Sequence, residues 1–305
     1  MNRLPASGAA TLCLLITLCA SPAYPAITRI DDAGKTVTLA APAKRIISLA
    51  PHVTELLYAA GAGDKIVGAV EFSDYPEAAN KIPRVGDNKA LDLERIVALK
   101  PDLIVVWRHG NAQRQIESLA ALGIPMYYNE PKHFADIPLA LEAFGQLAGT
   151  EAVAQTAAAD FRARMESLKN RYSDRPPVKL FYQVWSKPLM TLNGRHLVAD
   201  AIRLCGGVNP FAELEPMAPT VNTEAVLAAD PEVIISTSLG KNGPDGLALW
   251  DKWPRMTAVA RGNLYTLDGN LINRHGPRIL QGTERLCEEL EQARAKRPAQ
   301  GSKAP

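Results

Sequence analysis

Short apolar runs alternate with amphipathic segments along most of the chain. The runs are rich in Ile, Val and Leu and predict buried strands at 46–49, 65–70, 103–106, 178–184, 233–236 and 263–267. Apolar residues at helical spacing predict helices at 54–61, 113–122, 197–204 and 281–293, with Thr54 as a candidate cap and Gly61 as a stop. This alternation is typical of mostly parallel sheets covered by helices on both faces.

Two segments of the chain repeat one another at a separation of 130 positions. LERIVALKPDLIV at 93–105 and TEAVLAADPEVII at 223–235 align Glu94 on Glu224 and proline on proline. Each predicts a helix with Glu in its first turn, a turn closed by Pro, and a buried strand. The repeat therefore predicts two similar α/β lobes, each presenting one Glu at an equivalent corner.

Residues 151–172 form the longest predicted helix, because they are rich in Ala, Glu, Gln, Arg and Leu and contain no Pro or Gly. Pro176 and Pro177 stop it. A long helix between two lobes permits less hinge motion than a flexible linker. We therefore predict two Rossmann-like lobes joined by a single long helix. The predicted divisions are an N-terminal lobe at 27–147, a connecting helix at 148–175, a C-terminal lobe at 176–293 and a disordered tail at 294–305.

The first 26 residues have the pattern of a secretory signal peptide. A charged start at Asn2 and Arg3 precedes an apolar stretch at 9–20, too short to span a bilayer, and small residues follow it. Cys19 raises the alternative of a lipid anchor, but Leu18 stands where such anchors need a small residue. The pattern predicts an exported protein, and no later segment is apolar enough to cross a membrane.

Removing the leader leaves two cysteines, Cys205 and Cys287. In an exported protein an even number of cysteines predicts disulfide bonding. A Cys205–Cys287 bond would hold the last predicted helix against the rest of the second lobe. The alternative is a pair of buried free thiols.

Composition and charge narrow the function. The chain has 305 residues, of which 47% are hydrophobic and 22% charged, which is globular composition of two-domain length. A net charge of +2 gives no strong field for nucleic acid or an anionic membrane. No complete hydrolase, metalloprotease, phosphate-loop or dinucleotide motif is present. An exported α/β enzyme remains the alternative from a different functional class.

Several short motifs carry a family resemblance. They are RIISLAP at 45–51, TEL at 54–56, SDYP at 73–76, WR at 107–108, CGG at 205–207 and PR at 277–278. With these motifs the chain resembles, over about 45–290, the periplasmic binding proteins of bacterial ABC importers for siderophores, haem and cobalamin, and most of all their cobalamin-binding branch. The resemblance implies a periplasmic monomer that performs no catalysis, needs no catalytic cofactor, and carries a corrinoid to an inner-membrane ABC permease dimer with its ATPase subunits.

The resemblance also implies a ligand cleft between the lobes. Trp107, directly after a predicted strand, matches an aromatic ligand contact; Phe72 matches a family Tyr, and Arg274 matches a ligand-contacting Arg. The alternatives are a structural Trp and a surface ion pair. Trp185 follows another strand and could form the opposing wall. Asn88 and Met190 replace family aromatics, and Asn270 replaces a family Asp. The predicted ligand-binding residues are therefore Trp107, Phe72, Arg274, Trp185, Asn88, Met190 and Asn270.

These departures make the predicted pocket less aromatic and more polar than that of the cobalamin-binding relatives, so the expected ligand is cobalamin or a related corrinoid, with a precursor such as cobinamide, another corrinoid and a different chelate as the alternatives. The runner-up is an iron–siderophore chelate, which would require several basic residues at the cleft. Haem is disfavoured because Asp87 and Asn88 stand where related haem receptors carry a Tyr.

Two further roles follow from the same resemblance and from the loops. Glu94 and Glu224 would face arginines of the two permease subunits, since a carboxylate accepts a guanidinium bidentately. The alternative is that each only interacts with its helix dipole. His52, His109 and His275 fall in predicted cleft loops, but no histidines show metal-ligand spacing, so no metal site is predicted.

Overall fold

The computed structural model of the chain describes residues 26–238 and 246–298, which form two α/β lobes as the alternating pattern predicts. The predicted signal peptide, apart from Ala26, and the last seven residues of the predicted tail lie outside the described residues. No helix within the described ranges has both the length and the apolar character of a membrane span.

The first lobe begins with an antiparallel hairpin and continues as a parallel sheet in the order β4-β3-β5-β6. Its strands are β1 (Ile27–Ile30), β2 (Thr36–Leu39), β3 (Ile46–Ser48), β4 (Ile66–Ala69), β5 (Leu103–Trp107) and β6 (Met126–Asn129). Its helices are α1 (Pro51–Ala59), α2 (Leu93–Ala98), α3 (Gln113–Ala120) and α4 (Asp136–Ala148). Ile47 lies opposite Ile104 in the sheet, and both are fully buried, because helices cover both faces.

The second lobe follows helix α5 (Glu151–Tyr172) and is built around a parallel sheet in the order β10-β7-β11-β12. Its strands are β7 (Val178–Gln183), β8 (Trp185–Ser186), β9 (Leu189–Met190), β10 (Gly207–Val208), β11 (Val233–Ser238) and β12 (Leu264–Asp268). Its helices are α6 (Val198–Leu204), α7 (Thr223–Ala229), α8 (Thr257–Ala260), α9 (Gly269–Ile272) and α10 (Ile279–Ala295). In each lobe the parallel strands therefore end at one edge of a sheet.

Along the sequence, helix α5 follows the first sheet and precedes the second, and in space it packs against α4 of the first lobe and α10 of the second. The predicted connector at 148–175 is longer than the helix, because α4 continues to Ala148 and Gly149 reverses the chain with φ +67°. A Cβ on Gly145 would stand 2.3 Å from the Ala154 Cβ, so glycine at this position lets α4 and α5 cross closely. The connector is thus part of the packed core.

The predicted disulfide is present. Cys205 and Cys287 are bonded, fully buried and 82 positions apart, and they join the end of α6 to α10. The alternative of free thiols is therefore excluded. The bond fixes α10 against the second lobe at a point where both helices are already packed together.

The last helix runs further in both directions than predicted, from Ile279 to Ala295. Residues 294–298 therefore do not belong to a disordered tail. Arg294 donates to the carbonyl oxygens of Pro176 and Cys205, each at 2.7 Å, and Arg297 pairs with Glu232 at 2.8 Å. These arginines fasten the helix end onto the second lobe.

Candidate ligand-binding cleft

A cavity of about 520 Å³ lies between the two lobes, at the carboxyl ends of the parallel strands. The first lobe supplies the start of α1, the loop after β4 and the end of β5; the second supplies α9 and the turn after it. The lining residues are Pro51, His52, Phe72, Asp74, Trp107, Gly269, Asn270, Asn273, Arg274 and His275. Open α/β sheets bind ligands at this edge, and four predicted ligand residues lie here: Phe72, Trp107, Asn270 and Arg274.

Trp107 is the last residue of β5 and forms part of the first-lobe wall. Its backbone N–H donates to Asn111 Oδ1 at 2.8 Å, and the Asn111 amide donates to Leu49 O at 2.8 Å, which ties the strand end to the neighbouring loop. A Cβ on Gly110 would fall 1.8 Å from the indole. The indole therefore occupies its position because residue 110 has no side chain.

Phe72 is the exposed aromatic of the cleft. Its side chain is 73% exposed, and its backbone has φ +63°, a left-handed conformation that a bulky residue rarely adopts. Such strain is found where the surrounding structure imposes it and concentrates at binding sites. The ring lines the same cavity as Trp107 and offers apolar area to a ligand.

Arg274 reaches the cavity from the second lobe while bonded to the first. Its Nη1 donates to Glu55 Oε1 at 3.0 Å and to Asp74 Oδ1 at 2.7 Å, and its Nη2 donates to Asn270 Oδ1 at 2.8 Å. Burial acts to lower the pKa of Arg274, but the two carboxylates outweigh it and raise the pKa. Burial likewise opposes the shift at Asp74, whose pKa the hydrogen bond and charge of Arg274 lower. Both groups are therefore held in their charged forms.

Three imidazoles meet beside Trp107. His52 and His275 line the cavity, with ring centroids 5.6 Å apart, and His196 packs behind His275, with 3.4 Å between their Nε2 atoms. Burial lowers the pKa of all three, to about 3 for His196, and the charge of Arg274 also acts against protonation of His52. Among the described residues, no group of three or more His, Cys, Asp or Glu side chains is arranged to hold a metal.

Four residues expected near the ligand do not line this cavity. Trp185 and Met190 pair with each other in the β8–β9 hairpin, and the Trp185 indole is 58% exposed and donates to Lys187 O. Asn88 is exposed and accepts from Ala112 N through its backbone. His109 pairs with Glu130 at 3.2 Å. The ligand roles of Trp185, Met190 and Asn88 remain predictions.

The structure adds cleft residues that the sequence did not single out. Asn273 lines the cavity and accepts a hydrogen bond from the Tyr182 hydroxyl at 2.7 Å. Asp74 and Glu55 hold Arg274, and His196 backs His275. Of these residues, only Glu55 could have been identified from the sequence pattern. It is a carboxylate in the apolar segment PHVTELLYA of α1, where a buried charge requires a cationic partner.

The two repeated glutamates are exposed in equivalent positions. Glu94 lies in the first turn of α2 and Glu224 in the first turn of α7. Asp92 caps α2 by accepting from Arg95 N at 2.9 Å, and Asn222 caps α7 by accepting from Ala225 N at 2.8 Å. Both helices thus begin in the same way, and each presents its Glu to solvent.

Comparison with known proteins assigns the class. The chain belongs to the periplasmic binding protein family, whose sequence profile matches residues 46–271. The vitamin B12-binding protein of Vibrio cholerae serotype O1 is 39% identical over 252 residues, covering 82% of this chain and 90% of the relative. The vitamin B12-binding protein of Yersinia pestis is 39% identical over 248 residues, covering 81% and 86%.

Solved structures agree with this assignment. The crystal structure of the periplasmic vitamin B12-binding protein of Vibrio cholerae superposes with a TM-score of 0.77 at 39% identity, covering 83% of this chain and 98% of that one. The periplasmic heme-binding protein of Roseiflexus sp. RS-1 superposes with a TM-score of 0.71 over 82% and 98%, at 22% identity, and shares the fold. The two-lobe fold is therefore common to relatives named for different ligands.

Proposed function

We propose that the protein captures cobalamin or a related corrinoid in the inter-lobe cleft and delivers it to an inner-membrane ABC permease. One observation carries the proposal. An open cavity with Trp107 on one wall and Arg274 on the other lies in a chain 39% identical to vitamin B12-binding proteins. Energy for transport would come from the ATPase subunits of the permease, and the protein itself would catalyse no reaction.

The chemistry of the cleft suits a large flat ligand with neutral polar edges. Trp107 and Phe72 provide aromatic area at small cost in conformational entropy. Asn270 and Asn273 provide amides, and Arg274 can donate to amide carbonyls or a phosphate. A corrin ring bordered by amide side chains offers the complementary groups.

The charges at the cleft argue against the siderophore alternative. An anionic iron chelate needs several unpaired basic residues, but Arg274 is neutralised by two carboxylates. Arg108 donates to Asp32 O outside the cavity lining, and Arg278 pairs with Glu55. The buried histidines are held neutral as well. The cleft therefore favours a neutral polar ligand over an anionic one.

Delivery would use the two repeated glutamates. Glu94 and Glu224 are exposed at equivalent corners of the two lobes, where each carboxylate could accept hydrogen bonds from an arginine of one permease subunit. In this proposal the leader at 1–26 directs a monomer to the periplasm.

Tryptophan fluorescence tests the ligand assignment. The protein is titrated with cyanocobalamin, dicyanocobinamide, haem and a ferric siderophore. We expect saturable quenching by the corrinoids at or below micromolar concentration, lost in Trp107→Ala and retained in Trp253→Phe, a control tryptophan that is 40% exposed and does not line the cavity. The ratio of the two corrinoid affinities identifies the preferred form. Saturation by the ferric siderophore alone would replace the corrinoid with the runner-up ligand.

A further inference from the structure

Glu55 is a buried carboxylate whose cationic partners all lie in the other lobe. It belongs to α1 of the first lobe, and its side chain is 2% exposed. Its Oε1 accepts from Arg274 Nη1 at 3.0 Å and from Arg278 Nη2 at 2.6 Å, and its Oε2 accepts from Arg278 Nε at 2.9 Å. One carboxylate thus accepts three hydrogen bonds that cross between the lobes.

The surrounding groups complete an electrically balanced network. Asp74, from the first lobe, accepts a hydrogen bond from the second N–H of Arg274 Nη1, so two carboxylates face two guanidinium groups. The Arg278 guanidinium also stacks over the Tyr75 ring, 3.8 Å from its centroid. Bidentate geometry and low exposure are the conditions under which an ion pair fixes orientation strongly.

This network separates two cavities. Arg274 and Asp74 line the ligand cavity, whereas Glu55 and Arg278 line a second cavity of about 350 Å³ behind it. Arg164 of the connecting helix α5 lies at the edge of that rear cavity. Arg278 therefore contacts Glu55 from the second cavity and does not line the ligand cavity.

The same bonds determine what Arg274 can offer to a ligand. A guanidinium has five N–H groups. Both N–H groups of Nη1 donate hydrogen bonds to carboxylates, and one N–H of Nη2 donates to Asn270. The Nε–H and the other N–H of Nη2 have no partner among the described residues. The guanidinium is thus fixed in place by the first lobe before any ligand arrives.

We propose that Glu55 is a positioning residue for the ligand site, which holds the two lobes of the ligand-free protein in one orientation and fixes the Arg274 guanidinium at the cavity wall. Its effect on affinity rests on the proposed function, whereas its effect on lobe orientation does not. Without Glu55, two guanidinium groups face each other with only Asp74 to balance them. The facing segments 51–59 and 269–278 then move apart within the small range that α5 allows, and the ligand must bring them together again.

Three single variants and one double variant test this role. Glu55→Gln removes the charge and keeps the shape, and Arg278→Gln removes the partner that does not line the ligand cavity. Arg164→Gln is the matched control, because it removes an exposed cation from the same rear cavity. The fourth is the double variant Glu55→Gln with Arg278→Gln. Each is measured by cyanocobalamin titration and by hydrogen exchange without ligand.

We expect Glu55→Gln and Arg278→Gln each to raise the Kd at least about tenfold, as loss of one partner of a buried charge pair does. The double variant should lose less affinity than the product of the two single effects, because it restores charge balance. Amide exchange should rise in 51–59 and 269–278 and stay unchanged in the strands of both lobes. Arg164→Gln should match the wild type.

Two outcomes would overturn the inference. One is wild-type affinity with unchanged exchange in Glu55→Gln and Arg278→Gln; the other is faster exchange throughout both lobes, which would reveal general destabilisation. If the wild-type protein binds no corrinoid, the proposed function fails, and exchange at the facing segments still decides the role of Glu55.

Discussion

Lys100 and Asp230 both have left-handed backbone conformations, with φ of 48° and 40°, at equivalent positions of the repeat. Each directly precedes the proline that follows a short helix. Non-glycine residues rarely adopt this conformation, so its occurrence in both copies shows that the repeats share a backbone path as well as a sequence pattern. Glu94 and Glu224 are therefore equivalent in three dimensions.

The first prediction concerns these glutamates. Glu94→Arg combined with Glu224→Arg should abolish corrinoid uptake by cells and leave corrinoid affinity unchanged, because the reversed charges would repel permease arginines and lie outside the cleft. Uptake of labelled cobalamin and fluorescence titration measure the two quantities. The matched control reverses one other exposed carboxylate in each lobe, Glu117→Arg with Glu213→Arg, and should transport normally. Normal uptake by the first pair would refute the docking role.

A second prediction concerns the space beside Trp107. Gly110→Ala should raise the corrinoid Kd at least about tenfold, because the new methyl would overlap the indole and displace it from the wall, and overpacking is not absorbed without movement. Gly123→Ala is a control for general destabilisation, since a Cβ there meets no atom within 4 Å and the substitution adds only the backbone strain of a left-handed φ of 72°; it should bind the corrinoid like the wild type. Equal affinity in Gly110→Ala and wild type would show that the indole does not contact the ligand.

The buried histidines predict a loss of stability in mild acid. Their pKa values lie below the ordinary value of 6.5, to about 3 for His196, so the unfolded chain binds protons that the folded protein excludes. The free energy of unfolding is therefore highest above pH 6.5. It falls as the pH drops through that value, by up to about 1.4 kcal/mol per pH unit for each histidine. Urea unfolding between pH 8 and 4.5 measures the slope.

His196→Gln should reduce that slope by about one proton. A pH-independent free energy of unfolding in the wild type would contradict the burial of neutral imidazoles.

The disulfide gives a fourth prediction. Cys205→Ala with Cys287→Ala should lower the free energy of unfolding by about 4 kcal/mol, since the bond closes a long loop in the unfolded chain. Reductant should bring the wild type to the same stability and leave the variant unaffected. The corrinoid Kd should stay the same, because neither cysteine lines the cleft. A reductant effect on the variant would point to another cause.

The sequence predicts those features that depend on neighbouring residues. Apolar runs mark the parallel strands, and Trp107 reaches the cleft because it directly follows one of them. Helix α4 was missed because Pro138 and Gly145 are ordinarily helix breakers. In the structure Pro138 lies in the first turn, where its missing N–H is tolerated, and Gly145 permits the close crossing with α5. Thr54 is likewise inside α1, which begins at Pro51.

Contacts between distant residues could not be read in this way. Glu55 and its partner Arg278 are 223 positions apart, and His196 and His275 are 79 apart. No local pattern indicates such pairs. The sequence predicts Trp185 at the cleft because it directly follows a strand, and Met190 because it replaces a family aromatic. In the structure the short β8–β9 hairpin pairs these two residues with each other.

Helix α5 has a consequence for the transport cycle. Its 22 residues span about 33 Å at 1.5 Å per residue, and it is packed against helices of both lobes, so the lobes cannot swing far without breaking that packing. The separation of Glu94 and Glu224 then changes little when ligand binds. A permease that recognises these two carboxylates would bind empty and loaded protein with similar strength. Empty protein would therefore compete for the permease, and uptake would depend on the loaded fraction as well as on the total amount.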